Sequence, residues 1–168
     1  MNFNRSWVDY REGFGNRDGE HWLGNKYIHA LTKLRRAELL VQLEDWDENT
    51  RYQVYNEFSV LSEENRFQLI LDDDAGSAKD ALQYQNYDFF STFDRDYDDQ
   101  EDMNLAANYS SGFWFERHSR PYFANLNGPY QFSHSIENAG NGIIWSRFRG
   151  SGYSLKKTEM KVRARPLD

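Results

Sequence analysis

The sequence predicts one α+β domain, in which a central, mainly antiparallel sheet packs with a helix and is followed by an irregular C-terminal half. Two stretches support the sheet, because residues along Leu39–Leu43 and along Tyr52–Phe58 alternate with the period of two that is typical of strands. The third observation is a change of pattern after residue 88, where aromatic residues stand among Gly, Ser, Asn and Asp without long periodic runs. Such a segment depends on loop packing rather than on strand ladders.

Length and composition agree with a single core. The chain has 168 residues, and its 17% aromatic content offsets a mean hydropathy of -0.92, because each aromatic side chain can bury a large area. We expect one domain over residues 1–168, divided into a sheet-and-helix part (1–87), a loop-rich part (88–152) and a returning strand (153–168).

The first part starts with a helix, because the apolar positions of Glu20–Lys33 fit one helical face. Strands are predicted at Ala37–Trp46 and Tyr52–Ser59, and the acidic turn Glu44–Thr50 joins them as a hairpin. One face of the second strand is expected to carry four alternating residues, namely Tyr52, Val54, Asn56 and Phe58.

A third strand is predicted at Phe67–Leu71 and ends at the turn-like stretch Asp72–Gly76, before a short helix at Asp80–Tyr84. The alternation of Tyr153–Arg163 predicts a return to the sheet. Three aromatic side chains are expected to be buried between this sheet and the first helix, namely Trp7, Phe14 and Trp22.

Charge and composition disfavour several function classes. The 27 acidic residues against 20 basic ones give a net charge of -7, which repels a phosphate backbone and disfavours nucleic acid as a partner. Membrane insertion is not expected, because no apolar run approaches the roughly 20 residues that a spanning helix needs. The N-terminus as given shows no signal peptide, and the domain is expected to be a monomer unless upstream segments oligomerise it. Cysteine is absent, which excludes disulfides and thiolate chemistry.

An acidic loop at residues 93–102 is a candidate calcium site. Asp94 and Asp96 stand one residue apart and can direct oxygens to one hard cation, which takes about 6–8 oxygen ligands. The loop lacks the Gly and Glu positions of an EF-hand, so a solvated acidic loop is the alternative. The four histidines do not pair at metal-ligand spacing, and neither a Gly-x-Ser-x-Gly elbow nor a P-loop is present.

The order of several motifs along the chain resembles that of the fibrinogen-like C-terminal domains. The matching runs cover nearly the whole chain and are Trp7-x-x-Tyr10-x-x-Gly13-Phe14-Gly15-Asn16, Gly19-Glu20-x-Trp22-Leu23-Gly24-Asn25, Leu43-Glu44-Asp45-Trp46, Phe90-Ser91-Thr92-x-Asp94-x-Asp96, Phe113-Trp114-Phe115, Asn125-Leu126-Asn127-Gly128-x-Tyr130, Gly142-Ile143-Ile144-Trp145 and Gly152-Tyr153-Ser154-Leu155-Lys156. The resemblance implies a secreted, non-enzymatic recognition module that binds a protein or an acetylated glycan beside a structural calcium ion. It also implies that the family's N-terminal subdomain is missing from this copy.

The resemblance implies site residues as well. The calcium ligands would be the side chains of Asp94 and Asp96, with carbonyl ligands near Asp98 and Gln100. The residues expected to contact a protein or glycan ligand lie in the loop-rich part and are Phe113, Trp114, His118, Tyr122, Asn125, Asn127 and Asn141.

The chain departs from the family pattern at the disulfide that follows the calcium loop. Leu105 occupies the first cysteine's place, and His118 or Pro121 stands near the second. The loss of such a cross-link costs about 3 kcal/mol in the chain-entropy model. An apparent one-residue insertion between Asp98 and Asn104 also puts the carbonyl ligands in question.

The ligand pocket departs from the family pattern too. Ala139 replaces the aromatic wall of the sugar-binding members, and no acid stands near Gly140 to hold a cationic N-terminus. Acetylated glycans are therefore expected to bind weakly. Three alternatives remain beside the recognition module: a lectin for acetyl groups with a pocket rebuilt from Phe113, Tyr122 and Phe123, a cysteine-free scaffold that has lost its ligand, and a metal-dependent hydrolase.

Overall fold

The computed structural model describes residues 1–33, 37–98, 100–115 and 123–165. In these ranges the helices are α1 (Trp7–Glu12), α2 (Asn25–Thr32), α3 (Leu105–Asn108) and α4 (Ser146–Arg149). The strands are β1 (Phe14–Gly15), β2 (His21–Trp22), β3 (Ala37–Glu44), β4 (Thr50–Val60), β5 (Leu69–Gly76), β6 (Phe90–Ser91), β7 (Phe113–Trp114), β8 (Ala124–Asn125), β9 (Ile144–Trp145) and β10 (Lys157–Ala164). Two 3₁₀ turns, at Glu63–Asn65 and Gln83–Gln85, complete the order.

The central sheet has four antiparallel strands in the order β10-β3-β4-β5. The alternation in β3 buries Ala37, Leu39, Val41 and Leu43, so the predicted strand and its hairpin with β4 are confirmed. The returning strand is confirmed as well, because β10 pairs along the whole of β3, from Lys157 opposite Glu44 to Ala164 opposite Ala37. The fold class is therefore the α+β arrangement that the sequence predicts.

The four residues predicted to share one face of β4 differ in burial. The buried positions include Gln53, Tyr55 and Phe58, whereas Tyr52 is exposed. The register between β3 and β4 shifts between Ala37 and Leu39, because β4 carries one extra residue there. A β-bulge of this kind reverses the alternation, and it directs both Tyr55 and Phe58 inward although they are three residues apart.

The third strand is longer than predicted. Strand β5 runs through Asp72–Gly76, where the sequence predicts a turn, because this stretch pairs with β4 as far as Gly76 opposite Gln53. The acidic residues tolerate the strand because it lies at the sheet edge and exposes them to water. The helix predicted at Asp80–Tyr84 is a single 3₁₀ turn at Gln83–Gln85.

Helix α2 begins later than the predicted Glu20–Lys33. Trp22 belongs to the small β1–β2 ladder, and Gly24 follows it with φ of 107°, a backbone angle that favours glycine. Only after this glycine does the chain turn into a helix, which buries Ile28 but leaves Leu31 61% exposed. The apolar face read from the sequence is thus only partly the buried face.

An aromatic core joins the sheet to the loop-rich half. Trp7 and Trp22 are buried as predicted, while Phe14 is half-buried at the edge. The ring of Trp114 lies 5.1 Å from that of Phe90 and 6.2 Å from that of Trp22, measured between centroids. Aromatic pairs in such edge-on and tilted arrangements add to the area that they bury. The core therefore fixes β6 and β7 directly on the first part of the chain.

The loop-rich half contains the two-residue ladders β6–β7 and β8–β9 rather than long strands. Side chains provide much of its order: the Trp145 indole N–H donates to the Lys79 carbonyl, and the Trp114 indole N–H donates to the Phe67 carbonyl. Across the described ranges, no helix is long and apolar enough to cross a membrane.

Candidate functional site

The acidic loop is tied to the start of α1. Thr92 and Arg95 exchange two backbone hydrogen bonds, so Asp94 lies on a tight turn directly after β6. One oxygen of Asp94, Oδ1, accepts the Trp7 backbone N–H at 2.9 Å and the Thr92 hydroxyl at 2.8 Å. Asp94 is otherwise exposed, as is Asp96, so both carboxylates are accessible from solvent.

Asp98, in contrast, is 1% exposed and has a structural role. Its carboxylate accepts the backbone N–H groups of Gln100 at 3.0 Å and Leu105 at 2.7 Å. Burial raises the pKa of the Asp98 carboxyl, and the nearby Asp96 carboxylate raises it further, although the two backbone hydrogen bonds oppose this. The side chain of Asp98 is therefore occupied by the backbone of the loop.

The donor set fits a calcium ion only if backbone carbonyls take part. Within the described ranges, no three acidic or histidine side chains are grouped so that they could hold a metal ion. Asp94 and Asp96 supply two exposed carboxylates, and the carbonyls of Asp98 and Gln100 follow at alternate positions. Calcium accepts carbonyl oxygens and waters beside carboxylates. This composition is compatible with the two-carboxylate set that the sequence predicts, which remains a prediction.

Hydrogen bonds fasten the loop where the family's cysteine is replaced by Leu105. Asn104 caps α3 by accepting the Ala107 N–H at 2.8 Å, and its amide also donates to the Thr92 carbonyl at 3.2 Å. With the Asp98 contact to the Leu105 N–H, these bonds link α3 back to the acidic loop. His118 and Pro121, the candidate positions for the second cysteine, lie outside the described residues.

Two of the predicted ligand residues lie in the core. Phe113 and Trp114 have no exposed surface, and both pack into the aromatic core. Side chains without exposed surface cannot contact a ligand in this conformation, so these two residues support the loops from beneath. Phe115, the third aromatic residue of this run, is buried as well. His118 and Tyr122, also predicted as ligand residues, lie outside the described residues.

The two predicted asparagines of the Asn-Leu-Asn-Gly run are buried too. Asn125 Oδ1 accepts the Ser111 hydroxyl at 3.1 Å, and Asn127 donates to the Gly112 carbonyl at 2.9 Å. Asn125 is 0% exposed and Asn127 is 5% exposed. These hydrogen bonds hold the segment before β7 against the Asn-Leu-Asn-Gly run, and both asparagines lie beneath the protein surface.

Asn141 is the predicted ligand residue that does lie near the surface. It is half-buried, and its carbonyl accepts the side-chain amide of Gln131 at 3.1 Å. This bond joins the loop around residue 131 to the predicted contact loop at residues 138–142. The two loops are therefore in direct contact.

The most exposed aromatic residue of this surface is not among the predicted ligand residues. Phe132 is 90% exposed, and its ring packs edge-on against Tyr130 at 5.3 Å. The ring of Tyr130 in turn lies 6.2 Å from that of Trp46. We call these three residues the aromatic ridge. A large apolar side chain in a Ser- and Asn-rich loop is the signal that points to Phe132, but the sequence alone does not separate it from a core residue.

The base of the aromatic ridge is held rigidly. The indole N–H of Trp46 donates to the Ser154 carbonyl at 3.0 Å, and the Trp46 backbone N–H donates to the Tyr153 hydroxyl at 3.0 Å. Asp45, the residue before Trp46, is fully buried and pairs with Arg149. Burial raises the pKa of Asp45, but hydrogen bonds from Arg149 and Asn49 outweigh it and leave the pKa below its usual value.

The sheet, the aromatic core and the loop surface define a recognition domain of the fibrinogen-like class. The family model for the C-terminal globular domain of the fibrinogen beta and gamma chains matches residues 1–165. The chain belongs to this family, whose members are non-enzymatic recognition modules.

Relatives and solved structures agree with this membership. Human microfibril-associated glycoprotein 4 is 44% identical over 169 residues, which cover 97% of this chain and 64% of that protein. The fibrinogen-like globe domain of human ANGPTL6 has a TM-score of 0.91 and 37% identity, and the match covers 100% of this chain and 73% of that one. Lamprey fibrin D-dimer, solved with the peptide Gly-His-Arg-Pro-amide, has a TM-score of 0.88 and 33% identity over 100% of this chain and 59% of that one. The chain thus spans less than two thirds of the glycoprotein's length.

Proposed function

We propose that this chain is an extracellular recognition module that binds a protein segment through the aromatic ridge and the adjoining loop at residues 138–142. The observation that carries the proposal is the exposure of Phe132, at 90%, against the ring of Tyr130, which packs in turn on the hydrogen-bonded Trp46. A prearranged aromatic cluster loses little conformational freedom on binding and is typical of interaction hot spots. The name of the human relative, a microfibril-associated glycoprotein, supports the extracellular location.

The chemistry of the surface favours a protein or peptide over an acetylated sugar. Ala139 is exposed, and it offers no aromatic wall against which an acetyl group could pack. Phe113, one of the residues that the alternative of a rebuilt sugar pocket requires, is in the core. The ridge and the amide-rich loop instead combine an apolar anchor with hydrogen-bonding groups, as protein interfaces do.

Binding of displayed peptides tests this proposal. We expect the domain to select peptides from a random library, and we expect Phe132→Ser to weaken the selected peptides about tenfold or more, as the loss of a hot-spot side chain does. Tyr87→Ser is the matched control, because Tyr87 is 62% exposed but lies outside the ridge.

Gly-His-Arg-Pro-amide and N-acetylglucosamine serve as probes of the two family ligand types, and both should bind weakly. Equal peptide binding by both variants, or tight binding of the acetylated sugar, would refute the proposal.

Calcium is the second part of the proposed function. We infer that Asp94 and Asp96 bind one calcium ion together with the carbonyls of Asp98 and Gln100, and that this stabilises the loop next to α1. For an extracellular site with a dissociation constant of about 10⁻⁴–10⁻³ M, saturation at ten times that constant adds roughly 1.4 kcal/mol. The melting midpoint should therefore rise by roughly 3–5 °C.

Charge-removing variants test the calcium site without disturbing the loop. Asn at position 94 can still accept the hydrogen bonds from Trp7 and Thr92 through its side-chain oxygen, so Asp94→Asn with Asp96→Asn should fold normally in a chelator. The double variant should lose the calcium-dependent shift, whereas Asp72→Asn with Asp74→Asn on β5 should keep it. An unchanged wild-type melt in millimolar calcium would show that the loop is only solvated.

A further inference from the structure

A second surface, which is lined by none of the site residues predicted from the sequence, collects positive charge in an acidic protein. A cavity of about 420 Å³ opens between the start of β4, the segment after β5 and helix α4. Four basic side chains line it, and we call this the basic pocket: Arg51, Lys79, Arg147 and Arg149. Among the residues that the structure describes, none that lines the pocket carries a carboxylate, although the chain has a net charge of -7.

Two of these cations are held on one aromatic ring. The guanidinium carbons of Arg51 and Arg149 lie 5.6 Å and 5.4 Å from the ring centroid of Phe148. Arg149 is fixed further by a hydrogen bond from its Nε to Asp45 at 2.8 Å, and Arg51 donates to the Thr50 carbonyl at 2.9 Å. Their positions are therefore set before any ligand arrives, which lowers the entropy lost on binding.

Lys79 reaches the pocket from a constrained backbone. Its φ of 59° is uncommon for a residue other than glycine. The carbonyl of Lys79 accepts the indole N–H of Trp145 at 2.9 Å, and Trp145 is fully buried. This contact anchors the lysine backbone while the side chain remains exposed.

Acids beside the basic pocket neutralise one of its lining cations, because Asp45 and Asp47 both pair with Arg149. Asp45 is fully buried against Arg149, and Asp80 accepts the backbone N–H groups of Leu82 and Gln83 at 3.0 Å. Asp47 is 75% exposed and reaches Arg149 at 3.4 Å. Arg149 is neutralised by its partners and Arg147 has a further interaction of its own, whereas Arg51 and Lys79 form no ion pair with the residues that the structure describes.

The basic tail of the chain behaves differently and provides a control. Lys157 and Lys161 on β10 both pair with Glu159, at 3.2 Å and 2.8 Å, and Arg163 pairs with Glu38. These ion pairs are typical of the solvated face of a strand. Positive charge on β10 is balanced by neighbouring acids on the sheet, whereas Arg51 and Lys79 of the basic pocket have no ion pair within the described part of the chain.

We propose that the basic pocket binds the sulfate groups of an acidic glycan. Guanidinium groups present a planar fork of donors that suits tetrahedral oxyanions, and they give up their hydration more readily than ammonium groups do. The volume exceeds that of one such anion and lies within the range of small-ligand sites, so a sulfated sugar residue can enter. The choice of a glycan rests on the extracellular location in the proposed function. A phosphate monoester shares the anion chemistry and is separated by experiment.

Binding to an immobilised heparin octasaccharide at physiological salt tests the proposal. The wild-type domain should bind it and should not bind the same chain after removal of its sulfates. The variant Arg51→Gln with Lys79→Gln should weaken binding about tenfold, as expected for the loss of two charged contacts. Lys157→Gln with Lys161→Gln removes the same charge from β10 and should change binding little.

The outcomes separate this site from the aromatic ridge. Phe132→Ser should retain heparin binding, and the Arg51/Lys79 double variant should retain the binding of selected peptides, so either proposal can fail alone. Equal losses of heparin binding in the Arg51/Lys79 and Lys157/Lys161 double variants would overturn the site, because they would indicate only general charge attraction. Binding that survives desulfation, or binding of a phosphoserine peptide in place of heparin, would overturn the assignment to a sulfated glycan.

Discussion

Gln85 links the sheet part of the domain to two strands of the loop-rich half, and its replacement is the most direct test of how the loops are positioned. Its side-chain nitrogen donates to the Trp114 carbonyl, and its side-chain oxygen accepts the Ala124 backbone N–H at 2.8 Å. Gln85 is 1% exposed, and both partner residues are 0% exposed. Water therefore has no access to replace the lost bonds.

We expect Gln85→Met to destabilise the domain strongly. Methionine has nearly the same length, so the main change is that two buried backbone groups lose their partners. Each costs about 1–3 kcal/mol, which gives about 4 kcal/mol for the pair. At about 2–4 °C for each kcal/mol in a domain of this size, the melting midpoint should fall by roughly 8–16 °C.

Urea and thermal unfolding measure this loss, and the same 3₁₀ turn supplies the control. Gln83 is exposed, so Gln83→Met should change the free energy of unfolding by no more than about 0.5 kcal/mol. A loss below about 1 kcal/mol for Gln85→Met would mean that the backbone groups find new partners. The side-chain amide of Gln85 would then not be the group that couples the sheet part to the loop-rich half.

Two further predictions concern packing and pH. Gly112→Ala would place a Cβ 2.4 Å from the ring of the buried Tyr10 and should cost about 1–3 kcal/mol in urea unfolding, whereas Gly152→Ala enters open space and should cost far less. The pKa of Asp45 is lowered in the folded state, so its contribution to stability is present above the unfolded pKa of about 3.9 and is lost as the pH falls through the folded pKa. The stability advantage of the wild type over Asp45→Asn should therefore shrink in acid; a constant difference down to about pH 3 would contradict this assignment.

The candidate site was only partly predictable from the sequence. The positions of Asp94 and Asp96 follow from the motif order, and the structure leaves both carboxylates exposed to solvent. The roles of Phe113 and Trp114 do not follow, because an aromatic residue in an irregular segment can serve a core or a surface equally well. Only the contacts made by Phe90 and Trp22, which are distant in sequence, place Trp114 in the core.

The sequence by itself determined the family, the strand β3 with its hairpin, and the return of β10 to the sheet, because these depend on local periodicity and on the order of motifs. Tertiary structure decided which faces are buried. The bulge opposite Glu38 turned Tyr55 and Phe58 inward, and pairing with β4 extended β5 through its acidic end. Tertiary packing also left Phe132 in solvent and gathered Arg51 and Arg149 around one ring. Such outcomes arise from contacts between segments far apart in the chain, so no local sequence pattern predicts them.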